Sequence, residues 1–74
     1  MSIKEKEFML QENQPFVELN KLLKILQIAQ TGGHAKIMIQ NNEVLVNGVL
    51  EIRIRKKLVK SDRVKVGNYL ISIV

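Results

Sequence analysis

The sequence predicts an α+β fold in which two helices pack on a small, mainly antiparallel sheet. Three observations predict it. Apolar residues recur at helical spacing between Glu18 and Ile28, a second helical stretch follows Thr31-Gly32-Gly33, and the C-terminal half alternates short β-branched runs with turn pairs.

From the N-terminus, Lys6 to Gln11 reads as a short edge strand with Phe8 and Leu10 on one face, followed by a polar stretch from Glu12 to Pro15. Residues 1–15 are therefore taken as an N-terminal extension and residues 16–74 as the domain proper. Leu19, Leu22, Leu23 and Leu26 share one helical face, while Lys21 and Lys24 point elsewhere, which predicts a helix over residues 18–28 with its stripe in the core. Thr31-Gly32-Gly33 is expected to break that helix and open another, with Thr31 as its cap. Ala35, Met38 and Ile39 would then face inward. Gly33, Lys36 and Gln40 would share an outer face, near the positive end of the helix dipole. Asn41 and Asn42 are placed to end the helix, because asparagine tolerates the left-handed conformation.

Glu43 to Val46 reads as a strand, and Asn47-Gly48 is a strong signal for a type I′ hairpin. Val49 to Arg55 is expected to run back beside it. In that return strand Ile52 and Ile54 would enter the core, while Arg53 and Arg55 would stand on the opposite face, roughly 7 Å apart. With both arginines outward, exchanging them for glutamate should leave folding nearly intact. Ser61-Asp62 then marks a turn before Arg63 to Val66, and Gly67-Asn68 a second hairpin into Tyr69 to Val74.

A chain of 74 residues makes one domain and buries a modest core. Without cysteine it has neither a disulfide framework nor a thiolate metal site. No stretch has the character of a secretion signal or a membrane span, so a soluble cytoplasmic protein is expected. The net charge is +5, unevenly spread. Residues 1–20 are acidic, whereas Arg53, Arg55, Lys56, Lys57, Lys60, Arg63 and Lys65 face only Asp62 within one short segment. Such a cluster attracts phosphate chains, an acidic protein or an anionic membrane surface, and it also suits a solvated strand and turn. Catalysis is poorly served: one histidine and no cysteine give no nucleophile–base pair and no metal cluster, and no cofactor is expected.

The order of these signals resembles the S-four RNA-binding domain family, named after a small-subunit ribosomal protein. The residues that carry the resemblance are Leu19 and Leu23, Ala35 and Ile39, Val44, Val46-Asn47-Gly48, Leu58, Asp62 and Val64. It is similar above all to the small stand-alone members, through Gly32-Gly33-His34-Ala35-Lys36 and Glu51-Ile52-Arg53, and it extends over about Phe16 to Val66. Departures exist: many members place an arginine at the Gly32-Gly33 break, Asn42 replaces a usual glycine, and Ser61-Asp62 replaces Gly-Asp. The resemblance implies the S-four-like, αL-type fold and binding of structured RNA, ribosomal or tRNA-like, by the helix pair and the adjoining loop. Arg53, Arg55, Lys56 and Lys57 would neutralise phosphates. Lys36 would extend that surface with His34 and Gln40 beside it, and the amides of Gly32 and Gly33 would receive a further phosphate. The few aromatics lie outside the basic segment, so recognition of shape and backbone is expected rather than base stacking. The alternative is a protein-interaction module that grips an acidic partner through the same face.

Overall fold

The computed structural model describes residues 2–74, which form two helices and seven strands. The strands are β1 (Lys4–Phe8), β2 (Val17–Glu18), β3 (Val44–Val46), β4 (Val49–Leu50), β5 (Lys57–Leu58), β6 (Arg63–Val66) and β7 (Tyr69–Ile73), with helices α1 (Leu19–Ile25) and α2 (Gly32–Gln40) between β2 and β3. Five strands make one sheet in the order β1-β7-β6-β3-β4, and β2 and β5 form a separate antiparallel pair. All ladders are antiparallel except β1 against β7. The expected α+β class, two helices on a mainly antiparallel sheet, is the one observed.

The period-2 pattern of the strands explains which face the helices cover. Val44 pairs with Val66, Val46 with Val64, and Val64 in turn with Ile71, and all five are buried against the helices. Leu19, Leu22 and Leu23 of α1 and Ala35 and Ile39 of α2 complete that core, with Val17 and Leu58 from the small β2–β5 pair. Leu45, Lys65 and Leu70 line up on the other face, which lies open to solvent as antiparallel sheets allow.

Helix α1 is shorter than its apolar period predicts. It ends because Gln27 adopts a positive φ of 60°, while Gln27 N–H donates to the Lys24 carbonyl and Ile28 N–H to the Leu23 carbonyl, both at 3.0 Å. This is a Schellman cap, and it brings Ile28 back over the helix it closes. Gly32 and Gly33 are therefore not the break; they form the first turn of α2. Thr31 caps that helix as expected, its Oγ1 accepting from His34 N–H at 3.0 Å. Asn42, with φ 63°, closes α2 by the same device, as Glu43 N–H reaches the Met38 carbonyl.

Two further elements differ from expectation. Strand β1 lies at Lys4–Phe8 rather than 6–11, and it runs parallel to β7 at the sheet edge, with the Lys4 and Lys6 ammonium groups 5.8 and 5.7 Å from the centre of the Tyr69 ring. The return strand after Asn47-Gly48 spans only Val49–Leu50, not 49–55. Ile52 is 61% exposed rather than in the core, and Ile54 is half-buried. The type I′ turn itself forms, with Asn47 at φ 53° and Gly48 at 81°.

Candidate nucleic-acid interface

Residues 51–56, between β4 and β5, form neither helix nor strand yet are closely tied to the fold. Glu51 N–H still donates to the Val44 carbonyl at 2.9 Å, so the chain leaves β3 only after this residue. Helix α1 begins without a side-chain cap, since Glu18 provides none, and the loop takes over that task. Leu19 N–H donates to the Lys56 carbonyl at 2.9 Å and Asn20 N–H to the Ile54 carbonyl at 3.1 Å, satisfying amides that a helix start leaves unpaired. Lys57 and Leu58 then pair with Glu18 and Val17. The basic loop is thus stapled to the start of α1.

This attachment gathers four cations. Arg53, Arg55, Lys56 and Lys57 together line one open cleft of about 460 Å³. Arg53, Arg55 and Lys57 are exposed and Lys56 is partly so. The Lys57 ammonium sits 4.9 Å from the centre of the Phe16 ring, a cation–π contact that orients its stem.

Arg53 differs from its neighbours, because its guanidinium is already engaged. Nε donates to Glu51 Oε2 at 2.9 Å and Nη2 to Oε1 at 3.1 Å, while the Arg53 backbone N–H also donates to Oε2 at 3.0 Å. Glu51 is only 7% exposed. Its carboxyl is held below the ordinary 4.5 first by the side-chain hydrogen bonds of Arg53, which outweigh the upward push of burial; Arg53 in turn holds its proton more tightly. Sequence reasoning missed Glu51 as a partner, although the Glu51-Ile52-Arg53 spacing carried the signal.

The other basic residues of the segment lie elsewhere. Lys60 and Arg63 line a different cleft beside Glu7 and Asp62, and Lys65 stands on the open sheet face opposite Leu45 and Leu70. Asp62 organises the intervening turn, accepting from Val59 N–H at 2.8 Å and from Asn47 Nδ2 at 3.0 Å. Asn47 Oδ1 accepts from Arg63 N–H at 2.9 Å, so the hairpin asparagine also clamps two loops together.

On α2, Gly32, Gly33, His34, Lys36 and Gln40 are all exposed, and none of them lines the four-cation cleft. The two groups of residues share α1 as a support, since α2 packs on α1 and the loop caps it. His34 Nδ1 accepts from Gln30 N–H at 3.1 Å, which assigns the histidine a capping role. The amides of Gly32 and Gly33 donate to no protein acceptor among the described residues. A methyl group added at Gly32 would meet nothing within 4 Å, and one at Gly33 only Thr31 Oγ1 at 3.8 Å, so packing does not require glycine at either position. Among the described residues no cluster of His, Cys, Asp or Glu side chains could hold a metal ion, and no helix is long and apolar enough to cross a membrane.

Comparison with known proteins gives a consistent result. The family model described as S4 domain matches residues 10–74. YbcJ of Escherichia coli strain K12, whose name marks it as a candidate RNA-binding protein, is 37% identical over 60 residues, covering 81% of this chain and 86% of that protein. The YbcJ of Shigella flexneri, described as uncharacterised, matches to the same extent. The solution structure of Escherichia coli YbcJ, described as revealing an αL motif involved in RNA binding, superposes with a TM-score of 0.71 at 35% identity, covering 92% of this chain and 85% of that one.

Proposed function

The chain belongs to the S4 domain family, and from that premise we propose that it binds structured RNA, ribosomal or tRNA-like, through phosphate and shape contacts, without transforming it. The observation that carries the reading is the cleft shared by Arg53, Arg55, Lys56 and Lys57. Three cations on a loop stapled to a helix start, with Lys57 at the head of β5 beside them, present a fixed spacing to a phosphate backbone, and each phosphate neutralised releases counterions. Gly32 and Gly33 support a second contact: a helical glycine costs up to about 1 kcal/mol relative to alanine, the fold has room for a side chain there, and the amides lack protein partners. Bare backbone at a helix start suits an incoming phosphate. Lys36, with Gln40 one turn on, extends the positive surface along α2.

In this reading residues 16–74 hold the RNA, residues 1–15 add an edge strand to the sheet, and the protein works in the cytoplasm in association with ribosomes. Crosslinking in cells, followed by sequencing of the recovered RNA, tests it. The expected result is enrichment of one or a few stable folded RNAs. Recovery of no RNA above background, together with displacement of bound ligand by an acidic polypeptide as readily as by folded RNA, would contradict it and favour an acidic protein partner.

A further inference from the structure

Glu51 is the one charged side chain among the buried residues described. A carboxylate taken out of water is costly unless it is paired and hydrogen-bonded, and here all its contacts are spent on one partner, Arg53. The pair also cancels a positive charge inside a cleft otherwise lined by cations. A surface selected only to attract polyanions would be better without it. What the pair does achieve is orientation: Nε and Nη2 are held on one edge, the Arg53 side chain remains 68% exposed, and the Nη1–Nη2 end of the fork keeps unused N–H groups for a second, outward acceptor.

We propose that Glu51 is a positioning residue that locks the Arg53 guanidinium so that its open end meets a phosphate of folded RNA at a set angle. The inference rests on the RNA-binding reading above. A side chain fixed before binding loses less rotamer freedom on contact, and its planar fork then favours a phosphate held in one place over a flexible polyanion. Glu51 thereby converts one of four attractive charges into a selective one.

The test measures equilibrium binding of purified total ribosomal RNA and of heparin, a flexible polyanion, to the full chain and to Glu51→Gln, Arg53→Lys and the double variant. Glu51→Gln raises the net charge from +5 to +6, so simple attraction predicts tighter binding of both ligands. Positioning predicts that ribosomal RNA binds about two- to ten-fold more weakly while heparin binds as well or better. Arg53→Lys retains a cation for Glu51 but lacks the fork, and should show the same split; the double variant should be no weaker than Arg53→Lys alone, since Glu51 acts through Arg53. Unchanged or tighter RNA binding by Glu51→Gln overturns the proposal, as does a parallel loss of both ligands, which marks a structural role. If Glu51→Gln fails to fold, Arg53→Lys decides alone, and equal affinity for RNA overturns it. Should Arg53→Lys and Arg55→Ala both leave ribosomal RNA binding unchanged, the RNA-binding reading of this cleft falls as well, whereas loss with Arg55→Ala alone spares it.

Discussion

Arg53 and Arg55 look equivalent in the sequence and are not equivalent in the fold. Arg55 is exposed and has no ion-pair partner among the described residues, while Arg53 is the counter-ion of a buried carboxylate. Exchanging both for glutamate is therefore not neutral for folding: it would set a second negative charge against Glu51 and leave that group buried and unpaired. Arg55→Ala is the cleaner probe, expected to change stability by no more than about 0.5 kcal/mol. The pair also makes a pH prediction. Because the folded state lowers the Glu51 pKa below the ordinary 4.5, its stabilisation is present above the unfolded value and is lost as pH falls through the folded one. Thermal unfolding of the native chain and of Glu51→Gln should thus differ most at neutral pH, and the gap should narrow as pH falls below the ordinary 4.5 and through the lowered folded value; a gap that does not change with pH would contradict the ion-pair account. The position of Glu51 was legible in principle. A two-residue turn pairs Val46 with Val49 and Leu45 with Leu50, which puts residue 51 opposite Val44 on the inner face and Ile52 outside. Placing Ile52 in the core followed hydrophobicity and overlooked the phase that the turn imposes, whereas Ile54, beyond the strand, does pack against the core.

At the scale of elements, both helices end on non-glycine residues in the left-handed region, Gln27 and Asn42. Asn42 was readable because asparagine favours that conformation; Gln27 was not, since its type gives no such signal and the leucine period continues through Leu26. Tertiary seating of Ile28 against the core, where it is half-buried, outweighs the local cost. Gln27→Gly should accordingly stabilise the fold by about 0.5–1 kcal/mol, seen as a higher denaturation midpoint; destabilisation would show that the Gln27 side chain has a role of its own. Gly32→Ala and Gly33→Ala serve the opposite purpose. Each should hold or raise stability, by up to about 1 kcal/mol, yet weaken RNA binding if a phosphate approaches that first turn. Retained affinity would remove the α2 amides from the interface. The pairing of β1 was the least legible element: a parallel partner has no turn to announce it, and β1 reaches β7 across nearly the whole chain.

For the whole molecule, the apolar pattern was enough to give the class and the helix-covered face, because Leu19, Leu23, Ala35, Ile39 and the valines of β3 and β6 report burial directly. The charge pattern was less faithful. One basic run in the chain becomes three locations in space, since β5, the Ser61-Asp62 turn and β6 carry Lys60, Arg63 and Lys65 away from the loop. Arg53, Arg55, Lys56 and Lys57 share one cleft, while Lys60 and Arg63 line another beside Glu7 and Asp62. With a core this small, net stability is a few kcal/mol, so Leu23→Ala, costing about 2–5 kcal/mol, should unfold much of the protein and abolish binding indirectly; interface variants must be shown to fold before they are compared. The most direct measurement is the salt dependence of affinity for purified ribosomal RNA, for the native chain and for a folded Arg55→Ala/Lys56→Ala/Lys57→Ala variant. Three lost phosphate contacts should reduce the magnitude of the log–log slope by about 2 to 3, at 0.7–0.9 per contact, with affinity lower at every salt concentration. An unchanged slope and affinity would mean that the loop cleft does not hold the RNA backbone.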